Sequence, residues 1–221
     1  MIGRLAPIET RGTTMAEHLE AAKTAVLGLH LQKHMTDPAS PVAQHTGFAG
    51  MVQKTNLFDK INRVLSAARE KGIFIAYVKL DLSPGDYRYP QRGHFCQFVT
   101  AEHEAGEVLR PGTWGYDLHD ALVCQEGEPV ILGRHISAFA GSDLDNALKT
   151  RGITDLVLTG VATNFVVTNT AWSAIDRGYS CLVLEDCCTS GSEEMHQDAI
   201  DHLRPIADIW QSRSFIDALT R

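Results

Sequence analysis

The 221-residue chain contains no CxxC pair and no HExxH, so neither common zinc-ligand spacing is present. It also contains no GxGxxG, no P-loop and no GxSxG. Those absences remove sequence support for nucleotide binding and for a serine-hydrolase elbow. No basic run interleaved with aromatics occurs, and the formal net charge of −7 argues against nucleic acid as a partner. No apolar run approaches the roughly 18 residues a membrane span needs, and the opening MIGRLAPIETRGTTM lacks the apolar centre of a signal segment. Cys96, Cys124, Cys181, Cys187 and Cys188 form no even framework, so reduced thiols are expected. The expectation is a soluble, cytoplasmic protein without metal or cofactor.

What is present is a periodic α/β pattern. Composition is ordinary for a globular protein, 44% hydrophobic and 21% charged, and the length suits one domain. Residues 1–14 lack periodicity and read as an N-terminal arm, either packed on a neighbouring subunit or a disordered tail. A capping box at Thr14–Glu17 opens residues 15–221 as the folded domain. Apolar runs at 24–31, 73–80, 129–132, 156–158 and 180–185 read as strands, with an edge strand at 207–210. Amphipathic helices are expected at 52–71, 142–151, 165–178, 192–203 and from about 214. Residues 33–50 read as a polar loop and 82–127 as an irregular cover over a site. Strand–helix pairs about 30 residues apart predict a three-layer, Rossmann-like parallel sheet flanked by helices on both faces.

In open parallel sheets the site lies at the carboxyl ends of the strands. His30 and Gln32 follow the first strand, where an imidazole can serve as acid or base or simply sit hydrogen-bonded in the core. Arg134 follows the third strand and can clamp a carboxylate or pair with a surface acid. Asp186 reads as an organiser of turns. Trp114, Phe165, Tyr87, Phe95 and Phe98 can wall an aromatic pocket or pack in a core. His94 and His103, with Glu102 and Glu104, read as a solvated loop. The stretch DLVLTGVATNFVVTNTAWSAIDRGY (155–179) is a strand turning sharply into a helix, a geometry that offers backbone N–H groups to an anion or oxyanion. Its first helical turn, Phe165-Val166-Val167, carries no nucleophile.

RHISAFAGSDLDNAL, then ITDLVLTGVATNFVVTNTAWSAIDRGY and CLVLEDCCTS, closely resemble the isochorismatase-like (cysteine hydrolase) family over about residues 20–210. The resemblance implies a small-molecule hydrolase fold, usually a homo-oligomer, with a cis peptide at Val161-Ala162. Active members cleave C–N bonds with an Asp–Lys–Cys triad. The resemblance places those positions on His30, Gly133 and Val166. A valine methyl cannot attack a carbonyl, and glycine offers no cation to lower a thiol pKa. Isochorismatases proper also lack the cysteine and protonate a vinyl ether with the retained Asp. Three readings remain open at this point. One is an acid–base hydrolase of a small aromatic or anionic molecule. In it His30 is the acid/base, N–H groups around Phe165 and Val166 form the oxyanion site, and Arg134 is the clamp, with Gln32, Ala162 and Trp114 also at the substrate. The second is a ligand-binding pseudoenzyme, and the third a structural oligomer subunit.

Overall fold

The computed structural model describes residues 19–83, 92–94 and 109–220. The expected arm, the Thr14 capping box, Tyr87, Phe95, Cys96, Phe98, Glu102, His103 and Glu104 lie outside those residues. Six strands form one sheet: β1 (Thr24–Leu29), β2 (Phe74–Leu80), β3 (Val130–Gly133), β4 (Asp155–Val161), β5 (Ser180–Thr189) and β6 (Asp208–Trp210). Their spatial order is β3-β2-β1-β4-β5-β6, and every pairing is parallel. The sheet therefore grows outward from β1 in both directions, and the chain reverses its direction of growth between β1 and β4. A crevice opens there at the carboxyl edge, the usual ligand position in such sheets.

Both faces are covered, which explains why β1 is buried along its whole length. On one face Val26, Val157 and Leu182 pack with Ile61, Val64 and Leu65 of α4 (Leu57–Glu70) and with Phe215 of α8 (Ser212–Leu219). On the other, Leu27, Leu29, Leu156 and Leu158 pack with Leu144 and Leu148 of α5 (Leu144–Lys149), Ala171 and Ala174 of α6 (Thr168–Ile175), and Leu203 of α7 (Glu193–Leu203). The successive side chains of each strand divide between these two cores, as the period of two requires.

Three expectations are corrected. The single helix expected at 52–71 is two, α3 (Phe48–Thr55) and α4, because Asn56 adopts a left-handed φ of 50° between them. The polar loop at 33–50 is largely helical, with α1 (Lys33–Thr36), α2 (Pro41–His45) and the start of α3. Ser40 caps α2 by accepting the Ala43 N–H at 3.2 Å, and Pro41 fills the first helical position. The helix after β4 begins with a π-helical turn at Thr163–Val167 before α6. Ser192 caps α7, accepting from Met195 N at 3.1 Å. Asp186 also holds its expected role: its carboxylate accepts from the Ser212 N–H and Oγ at 2.6 and 2.8 Å, fixing the start of α8.

Candidate functional site

β1 delivers His30 to the carboxyl edge. Its N–H donates to the Val78 carbonyl at 2.9 Å, which extends the β1–β2 ladder one residue past the strand. The backbone then turns through φ 50° at His30, a left-handed conformation uncommon outside glycine. Opposite it, β4 reaches Gly160, whose φ of 136° suits only glycine; a Cβ there would collide with the Leu29 carbonyl oxygen. That close approach brings the ends of β1 and β4 together. The Val161-Ala162 peptide is cis, as the resemblance implies.

Between these ends lies a pocket of about 450 Å³, within the range of small-molecule sites. His30, Ala162 and Phe165 line one part of it; Leu80 and Leu82 extend from β2. Met35, Thr46 and Phe48 come from the helical segment after β1, with His94 and Ile136 completing the wall. The loop carrying Ile136 is held to α6: Ser137 Oγ donates to Ser173 Oγ at 2.8 Å, and the Ala138 N–H donates to Thr170 Oγ1 at 3.0 Å. The turn after β4 is tied to α7 by Thr163 Oγ1, 2.8 Å from His196 Nδ1, and to the end of β5 by Ser190 Oγ donating to Asn164 Oδ1 at 2.5 Å.

His30 is 3% exposed, and its Nε2 is buried without a hydrogen-bond partner. Desolvation pushes its pKa down to about 3, so the imidazole is neutral near pH 7. Burial alone sets the shift, with no carboxylate among the described residues holding a proton on the ring. Of the N–H groups expected around an oxyanion, that of Phe165 donates to the Ala162 carbonyl at 3.1 Å.

Other expected site residues separate from the pocket. Gln32 is fully buried, but its amide is consumed by backbone: Nε2 donates to the Leu80 and Tyr116 carbonyls at 3.0 and 3.3 Å, and Oε1 accepts the Leu80 N–H at 2.7 Å. These bonds clamp the ends of β1 and β2. Arg134 places Nη2 3.8 Å from Asp81 Oδ2. Arg134 follows the end of β3 and is not part of the pocket wall. Trp114 is largely exposed with the Lys33 ammonium 5.9 Å from its ring, outside the pocket wall. Val166 has no exposure and packs in the core with Leu156 and Leu158.

Neither Gly133 nor Val166 supplies a reactive group, and no other described cysteine substitutes. Burial pushes the Cys181 thiol up to about 12 and those of Cys187 and Cys188 higher still. Burial also raises the Cys124 thiol. None is a thiolate near neutral pH. Sequence reasoning missed Met35, Thr46 and Phe48 because 33–50 read as loop. Leu80 and Leu82 were recoverable from alternation, since both share the face of Val78.

Fold and crevice define a parallel α/β protein with a ligand-sized pocket at the carboxyl edge of its sheet. The isochorismatase domain family model matches residues 24–213, and the chain belongs to that family. It is 32% identical over 152 residues to the ureidoacrylate amidohydrolase RutB of Klebsiella pneumoniae, covering 65% of this chain and 64% of that protein. The chain thus spans just under two-thirds of the length of that curated relative. Among solved structures, a cysteine hydrolase from Pseudomonas syringae pv. phaseolicola superposes with a TM-score of 0.76 at 15% identity, over 91% of this chain and 94% of that one. An isochorismatase-like hydrolase from Alkaliphilus metalliredigens gives 0.71 at 25% identity, over 90% and 99%. No described helix is long and apolar enough to cross a membrane.

Proposed function

We propose that this isochorismatase-family protein binds a small, ring-sized molecule in the His30 pocket and does not carry out cysteine-type C–N hydrolysis. One observation carries the reading: an unpaired, neutral imidazole lines an otherwise largely apolar pocket at the position the family resemblance assigns to its catalytic acid. The pocket has the shape and lining of a binding site, but the groups needed for covalent chemistry are gone. Val166 has no lone pair to attack with, and Gly133 has no charge to stabilise a thiolate or an oxyanion. A base with a pKa near 3 is also poorly matched to drawing a proton from water at pH 7. An unpaired buried nitrogen remains costly in the empty pocket, and a ligand group that hydrogen-bonds it removes that cost.

A second reading is kept by the 32% identity to an amidohydrolase. In it His30 acts as a general base on water, without a covalent intermediate. Turnover at high protein concentration separates the two. Purified protein is incubated with ureidoacrylate, simple aromatic amides and vinyl ethers, and product is followed by mass spectrometry. The proposal expects no product above the uncatalysed rate, while aromatic members of the panel raise the melting temperature through binding to the native state. Product formation abolished by His30→Ala would establish the second reading.

A further inference from the structure

We infer that the His30 pocket selects uncharged ring compounds and rejects their carboxylate counterparts. The inference rests on the binding reading above and adds the charge class of the ligand. No lysine or arginine lines the pocket among the described residues. The two cations nearest the ends of β2 and β3 are committed elsewhere. Lys79 lies with its ammonium 3.4 Å from the Tyr116 ring centroid, and Arg134 lies beside Asp81. Alternation along β2 puts Lys79 and Asp81 on the face opposite Leu80 and Leu82, the residues that reach the pocket. Neither cation is part of the pocket wall.

Inside the pocket the chemistry is one-sided. Leu80, Leu82, Phe48 and Ile136 offer no hydrogen bond to an anion, and Phe165, nearly half exposed, presents an aromatic surface at the wall. A carboxylate entering this lining would lose its hydration with no charge to replace it. A neutral ring bearing an amide or hydroxyl gives up much less and can meet the imidazole or the Thr46 hydroxyl. Two described groups in the wall, the buried His30 ring and the exposed His94 ring, can reverse this preference by taking up a proton to pair with an anion. That route carries a signature, since anion binding would then strengthen steeply as pH falls.

The test uses the full-length protein with benzamide, benzyl alcohol and benzoate, measured by calorimetry and thermal shift at pH 7.5 and 5.5. Benzamide and benzyl alcohol are expected to bind, with benzoate at least tenfold weaker at both pH values. Ile136→Trp, which fills the pocket from a half-buried loop position, should abolish binding of the neutral pair and so locate it. Ile136→Lys should close most of the gap by tightening benzoate. Benzoate binding as tightly as benzamide at pH 7.5 overturns the inference. So does benzoate affinity rising tenfold or more at pH 5.5, a result read on the unmodified protein whether or not the variants fold. If none of the three ligands binds, the pocket reading falls and the inference with it. Conversion of benzamide to benzoate sinks the non-catalytic reading alone, because the charge preference can still be read as weak product inhibition.

Discussion

The His30 amide donates to the Val78 carbonyl at 2.9 Å, and this bond fixes where the imidazole enters the crevice between β1 and β4. Because the ladder is extended by one residue before the chain turns, the ring is held against the apolar side of the sheet. There it is fully desolvated and loses its basicity. Position, neutrality and the unpaired Nε2 all follow from that placement.

A pH dependence of stability follows directly. The folded pKa of His30 is about 3, below the ordinary 6.5, so between those values the unfolded state binds the extra proton. Stability from this group is complete above pH 6.5 and declines as pH falls toward 3. Between pH 7 and 5 the loss is about 2 kcal/mol. Urea titrations of the wild type and His30→Leu at both pH values should show the variant losing correspondingly less. Parallel losses in the two proteins would refute a neutral, buried His30.

Restoring the thiol alone should not restore chemistry. Val166→Cys places sulfur in a site with no solvent exposure and no facing cation, since Gly133 holds the lysine position. The thiol should resist iodoacetamide at pH 7.5 and amide turnover should stay at background. Rapid alkylation of the introduced thiol, followed by mass spectrometry, would show that the first helical turn is more open than its packing indicates.

Gln32 illustrates how far the sequence could be read. The G-L-H-L-Q spacing correctly placed a glutamine at the carboxyl end of a buried strand. It did not reveal that all three of its hydrogen bonds go to the backbone, because Tyr116 is 84 residues away in the chain. Parallel strands and their order of appearance were legible from apolar runs, while the cis peptide came only from the family resemblance. The pocket wall was less legible. Thr46 and Phe48 come from a segment whose short helices lack enough turns to show a period, and the Asp81 partner of Arg134 is 53 residues away in the chain.

Gln32→Ala should therefore damage stability more than binding. It leaves the Leu80 N–H and the Leu80 and Tyr116 carbonyls without their partner, at a cost of roughly 3 kcal/mol. Chemical denaturation gives the loss, and ligand affinity measured well below the new melting point should change by less than threefold. A large affinity loss in a protein of unchanged stability would return Gln32 to the site.

Arg134→Ala should leave the affinity for neutral ring compounds within twofold, because the guanidinium lies beside Asp81 and is not part of the pocket wall. Calorimetry on the purified variant provides the number. A tenfold loss would mean that the guanidinium reaches the ligand.

The central claim, binding without hydrolysis, is tested most directly by holding a saturating complex for many hours and counting molecules. Protein at high concentration is incubated with benzamide and, separately, ureidoacrylate, and both are quantified by mass spectrometry against a protein-free control. The account predicts that benzamide binds and that each compound is recovered intact at the control level. Hydrolysis of either compound, lost on His30→Ala, would contradict it.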